Sequence, residues 1–294
     1  MKHGIIIIAL GYPLYGNTAF NLALSIKSKC KDVPIALAIE EDNLSISDLT
    51  EREVGFFDHY LTVPAKHYTV NGKKEYQRSK LCLDIMAKQL GWDYVVYMDT
   101  DNLWLDRPFD QLMDKLKQKE FYIGYNGEYN PVTNEYTNKG YTFWSKKNEK
   151  EVCKYHNITK TLPQTVSGFL YFKAGPKADA IFKKAREVYD DPKAPCIPWA
   201  NGKPDEYCLN IALALENYKQ EKVHIFYFDK INGTIKDEDI GKRYWGFAIG
   251  GNAVSHKLQH LYNRKVNMLC LQNEVPTRHY HVDKKDVIKE RLLY

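Results

Sequence analysis

The sequence predicts an α/β domain with a mostly parallel central sheet flanked by helices, and three runs carry that reading. Residues 5–10, 33–39 and 94–98 are short, nearly continuous apolar stretches, as expected of strands buried on both faces. Helical periodicity separates them. Ala19, Leu22, Ala23 and Ile26 share a face between the first two runs, and Leu81, Ile85, Met86 and Leu90 precede the third. Strand–helix–strand order of this kind builds right-handed parallel units.

Taken in order, residues 11–17 form a loop after the first strand, with Thr18 expected to cap the helix that follows. The glycines of this loop lack the GxGxxG spacing of a dinucleotide fingerprint. Tyr12 or Tyr15 could stack on a nucleobase there, or equally pack the loop. Residues 61–64 read as a short strand. A basic stretch over 66–80 follows, with an Asn71-Gly72 turn inside it. Arg78 and Lys80 differ from its other cations because they open a helix that Gly91 ends and that leads into the third run. A helix starts near Asp106 with Leu112 and Leu116 inward, and 121–124 is another strand.

Residues 125–165 lose all periodicity and are rich in polar and aromatic residues, so they read as an acceptor-side loop. Residues 166–172 are a strand beginning Ser167-Gly168. Pro176 opens a helix with Ala178, Ile181, Phe182, Ala185 and Val188 on one face. The four prolines of 191–204 make a rigid loop, after which Asp205-Glu206 open the next helix, where acidic residues suit the helix dipole. A late strand over 223–228, a turn at 250–256 and a C-terminal helix over 286–294 complete the reading. With no repeat or linker, the 294 residues read as one domain, its donor-binding half about 1–124 and its acceptor-side half about 125–294.

The net charge of +5 falls short of what would by itself argue for nucleic acid, and it suits an anionic small substrate. The six cysteines show no metal-binding spacing and read as reduced core thiols. The first apolar run is too short for a signal peptide or a membrane span, so a cytoplasmic protein without a transmembrane segment is expected, free or peripheral to a membrane.

The chemistry is concentrated in Asp99-Thr100-Asp101, at the carboxyl end of the third run. Ligands of open α/β sheets sit outside the carboxyl ends of the strands. Two carboxylates side by side in a cleft repel each other unless a cation sits between them. Oxygen ligands of this type suit a hard divalent ion that bridges a diphosphate. The expectation is a metal–nucleotide site.

Lys80-Leu81, Tyr97-Met98-Asp99-Thr100-Asp101, Ser167-Gly168 and Asp205-Glu206 with Asn210 together resemble the retaining GT-A glycosyltransferases. The nearest family is the one that holds glycogenin and bacterial lipopolysaccharide galactosyltransferases. The resemblance spans most of the chain through short motifs. It implies a Rossmann-like GT-A fold, a UDP-sugar donor and Mn²⁺ or Mg²⁺, with Asp99 and Asp101 as metal ligands and Asp99 also near the ribose. It further implies that Lys80 contacts the donor and that Asp205 and Glu206 sit by the transferred sugar, Glu206 as charge stabiliser or nucleophile. Arg78, which opens the same helix as Lys80, is expected from that position to reach the diphosphate or sugar. The family's third ligand is a histidine in His-x-x-Gly-x-x-Lys. His256 is the candidate here, although Gln259 stands at the glycine position, and His279 and His281 are rivals. The implied acceptor is a glycan, a lipid-linked glycan or a protein, with a modified nucleic-acid base also open. Three rivals remain: a haloacid-dehalogenase-type phosphatase using Asp99 and Asp101, a sugar nucleotidyltransferase, and a non-catalytic sugar-binding module.

Overall fold

The computed structural model describes residues 2–104, 109–125, 128–130, 135–137, 149–196, 202–219, 246–248 and 292–293. The chain opens with β1 (His3–Ile8), α1 (Pro13–Lys29), β2 (Ile35–Glu40), the single turn α2 (Glu51–Val54) and β3 (His59–Val63). A tight hairpin follows, β4 (Thr69–Val70) and β5 (Lys73–Lys74), closed by Asn71 and Gly72 with φ of 50° and 78°. Two successive left-handed residues are what a two-residue hairpin loop requires, so the Asn-Gly signal holds. A 3-10 segment, Tyr76–Cys82, runs into α3 (Leu83–Leu90), which Gly91 ends in the left-handed region. Then come β6 (Tyr94–Met98), β7 (Asn102–Trp104), α4 (Phe109–Leu116), β8 (Phe121–Tyr125), β9 (Glu128–Asn130), β10 (Glu135–Thr137) and α5 (Glu149–Tyr155). The remainder is β11 (Thr165–Lys173), α6 (Pro176–Asp190), α7 (Asp205–Leu215), β12 (Gly246–Ala248) and β13 (Leu292–Leu293).

Seven strands form the central sheet in the order β13-β3-β2-β1-β6-β11-β8. The pairs from β13 to β6 are parallel, while β11 runs antiparallel to both β6 and β8. The sheet is therefore mixed, with a parallel majority. Alternation within β1 shows its two faces: Ile5 and Ile7 join α1 and α4 in one core layer, and Ile6 joins α3, α6 and α7 in the other. All five apolar residues expected on the inner face of α6 are buried. Burial of this kind, at about 25 cal/mol per Å² of apolar surface, supplies the main drive for assembling such layers.

Three local expectations are corrected. Thr18 does not cap a helix: α1 starts five residues earlier, because Pro13 occupies its first turn with φ already helical, and the Thr18 hydroxyl donates to the carbonyls of Leu14 and Tyr15 at 3.1 Å each. At the C-terminus, Leu292 and Leu293 pair with Tyr60 and Leu61 as a short edge strand where a helix was expected. Within 125–165, the described residues include the β9–β10 hairpin and α5 in place of a featureless loop. The expected strand over 223–228 and turn at 250–256 lie outside the described residues. Among the described residues no helix is long and apolar enough to cross a membrane.

Candidate active site at the carboxyl end of the sheet

The site is built where β1, β6 and β11 meet the 3-10 segment and α7. Gly11, just beyond β1, has φ +93°, and a Cβ there would lie 2.5 Å from the Tyr76 ring. A side chain at position 11 is thus excluded on both counts. Tyr76 seats on the end of β1 and begins the segment that carries Lys80 to the end of β6.

Lys80 is the hub. Its Nζ lies 2.9 Å from Asp99 Oδ1, 2.8 Å from Asp205 Oδ2 and 3.0 Å from Ser167 Oγ. Of these contacts, the one to Ser167 is a hydrogen bond and the two to the carboxylates are ion pairs. Burial works against its charge, but the Asp205 and Asp99 carboxylates outweigh that and hold the Lys80 pKa well above the ordinary lysine range. Ser167 Oγ also donates to Asp205 Oδ2 at 2.6 Å, and Ser167 N–H donates to Glu206 Oε1 at 3.2 Å. Burial first, then the Asp205 charge, raises the Glu206 carboxyl well above the usual carboxylate range.

Asp205 and Glu206 are more than ornaments of a helix N-terminus. Pro204 occupies the cap, no side chain caps α7, and both carboxyls are turned onto β11. What brings β11 within reach is an irregularity. Its pairing with β8 shifts register between Val166 and Leu170, so Ser167, Gly168 and Phe169 bulge out of the β8 ladder. Bulges beside active sites re-aim side chains in this way. On the β6 side of β11, the Gly168 carbonyl accepts from Asp99 N–H at 2.9 Å and from Asn102 Nδ2 at 2.8 Å. Asn102 also donates to the Asp99 carbonyl, through its backbone N–H at 3.1 Å and through Nδ2 at 3.0 Å. Asn102 thereby ties the acidic turn to the bulge.

Asp99 and Asp101 stand at the end of β6, as the sequence predicted. Asp99 Oδ1 is taken by Lys80 and by the Tyr97 hydroxyl, which donates at 2.5 Å. At Asp101, burial and then the Asp99 charge outweigh the Lys80 charge and raise the pKa from 3.8 to about 7. Two neighbouring carboxyls that offer only oxygen fit a hard divalent cation. Among the described residues, however, no group of three His, Cys, Asp or Glu is arranged as a complete metal site. His256, His279 and His281 lie outside the described residues.

Tyr15 belongs to the same neighbourhood, because its hydroxyl pKa is raised by burial, by Tyr12 and then by Asp101 and Asp99. Tyr12 is 60% exposed and Tyr15 41%, with ring centroids 6.1 Å apart at the rim. Arg78 is not brought to this cluster. Its guanidinium makes a two-pronged pair with Asp190 at 2.7 and 2.6 Å and donates to the His67 carbonyl at 3.0 Å. Sequence reasoning assigned no role to Tyr97 and Asn102 and met Ser167 only as part of a motif. Tyr97 carried a legible signal, since residues i and i+2 of a strand share a face and Asp99 lies two beyond it. No protein-family model matches the chain, and no curated protein matches it.

Proposed function

We propose that the chain is a metal-dependent glycosyltransferase that moves a hexose from a UDP-sugar to a hydroxyl of a glycan, free or lipid-linked, or of a protein. The observation that carries this reading is the convergence of Asp99, Asp205 and Ser167 on Lys80, beside the partly uncompensated Asp101. The sheet order, with an antiparallel β11 set between β6 and β8, supports a GT-A arrangement. A phosphatase of the haloacid-dehalogenase type is less well served. That chemistry normally has Thr or Val two residues after the second aspartate, where Leu103 stands here.

In this mechanism Asp99 and Asp101 hold Mn²⁺ or Mg²⁺, which would offset the charge of the departing diphosphate. Tyr12 and Tyr15 offer ring faces for the base at the rim. Lys80 holds the Asp99 end of the site at a fixed separation from Asp205 and Glu206, which face the transferred sugar. With the donor bound, Glu206 as the carboxylate would face the positive charge that develops on the sugar and stabilise the oxocarbenium-like state. Arg78, held by Asp190, serves the fold.

The test is a panel of UDP-hexoses incubated with the protein and Mn²⁺, with released UDP as the readout. Slow hydrolysis of at least one donor is expected even without an acceptor, lost on chelation and reduced at least about 100-fold by Glu206→Gln, in line with the loss of one electrostatic stabiliser. No UDP release from any donor, with or without a glycan acceptor, would overturn the reading.

A further inference from the structure

We infer that Tyr97 is a positioning residue that fixes the Asp99 carboxylate, committing Oδ1 to the protein and leaving Oδ2 to face the cleft; the inference rests on the donor-site reading above. Tyr97 is 3% exposed and its hydroxyl donates to Asp99 Oδ1 at 2.5 Å. A buried phenol needs a partner, and Asp99 supplies it. Lys80 Nζ reaches the same oxygen at 2.9 Å and lies 5.3 Å from the centre of the Tyr97 ring. A hydrogen bond from Tyr97 and the Lys80 charge on the same oxygen together bias the carboxylate toward one setting. Among the described residues Oδ2 has no partner, and the Asp99 side chain is 33% exposed. Asn102 holds the main chain of Asp99 to Gly168, so the residue is fixed at both ends.

Outer groups that hydrogen-bond a ligating carboxylate set its direction, and losing one typically lowers metal affinity by about 10–100-fold. Tyr97→Phe removes only the hydroxyl. Because Asp99 is partly exposed, water can take the vacated bond and the variant should fold. Tyr171→Phe is the control: that residue is fully buried on the neighbouring β11, and its hydroxyl has no partner among the described residues.

The experiment measures Mn²⁺ affinity of the nucleotide-free protein by electron paramagnetic resonance, in wild type, Tyr97→Phe, Tyr171→Phe, Asp99→Asn and the Tyr97→Phe/Asp99→Asn double variant. About tenfold or greater weakening is expected in Tyr97→Phe, none in Tyr171→Phe, and no further loss when Tyr97→Phe is added to Asp99→Asn, because Tyr97 acts through Asp99. Affinity in Tyr97→Phe within twofold of wild type, whatever its thermal stability, would overturn the inference. So would an equal loss in the Asp99→Asn background. Failure of wild type to bind Mn²⁺ is a separate outcome that would remove the donor-site reading and this inference with it.

Discussion

Replacing Lys80 by methionine should destabilise the protein more than any other single change at the site. Methionine keeps the volume of the side chain but leaves Asp99 and Asp205 facing each other with no cation between them. Removing one partner of a buried ion pair costs about 3–5 kcal/mol, because the remaining charge is stranded. At roughly 2–4 °C per kcal/mol for a chain of this size, the melting temperature should fall by about 10 °C. Lys80→Arg should not restore it, since a planar guanidinium cannot meet three oxygens arranged around one point as the ammonium does. Adding Asp205→Asn to Lys80→Met should recover part of the loss. Thermal denaturation of the three variants checks this, and a Lys80→Met protein as stable as wild type would show that the hub contributes nothing to the fold.

Asp101→Asn should act with opposite signs on stability and function. The folded-state pKa of Asp101 is about 7 against an ordinary value of 3.8, so the native state holds this proton more tightly than the unfolded chain does. As pH rises from about 4 through about 7, ionising Asp101 therefore lowers stability. Asparagine cannot ionise, so at pH 8 the ligand-free variant should be more stable than wild type by on the order of 2 kcal/mol, and at pH 4 the two should converge. Donor turnover and stabilisation by Mn²⁺ with UDP should nevertheless be lost. In wild type that stabilisation should be weak at pH 5.5, where a proton occupies Asp101, and strong at pH 8. Melting curves across this range separate the two effects. A variant that is destabilised at pH 8 and still turns over donor would contradict both halves.

The parts of the molecule legible in the sequence were those set by local chemistry. The unbroken apolar run at Tyr94–Met98 could only be a buried strand, Gly91 could take the left-handed turn that ends α3, and Asp99 and Asp101 followed from the strand's end. The site's assembly was less legible because it depends on pairing between distant segments. Nothing near Ser167 announces that β11 runs antiparallel between β6 and β8, or that its register slips there and turns Ser167 toward Lys80. Arg78 and Lys80 were expected to act together, but they lie two residues apart on a 3-10 segment. At three residues per turn that spacing points them to different faces, Lys80 to Asp99 and Asp205, Arg78 to Asp190. The capping role alone could have explained Asp205 and Glu206 from sequence, and only their bonds to Ser167 show that they face the site.

The most direct test of the donor site is the thermal shift of the wild-type protein at pH 8 with UDP, GDP or ADP, each with and without Mn²⁺. A ligand that binds only the native state raises its stability by RT ln(1 + [L]/Kd), about 2.7 kcal/mol at one hundred times Kd. A rise of several degrees that requires both UDP and Mn²⁺, with GDP and ADP far weaker, is expected. No shift with any nucleotide in the presence of Mn²⁺ would contradict it.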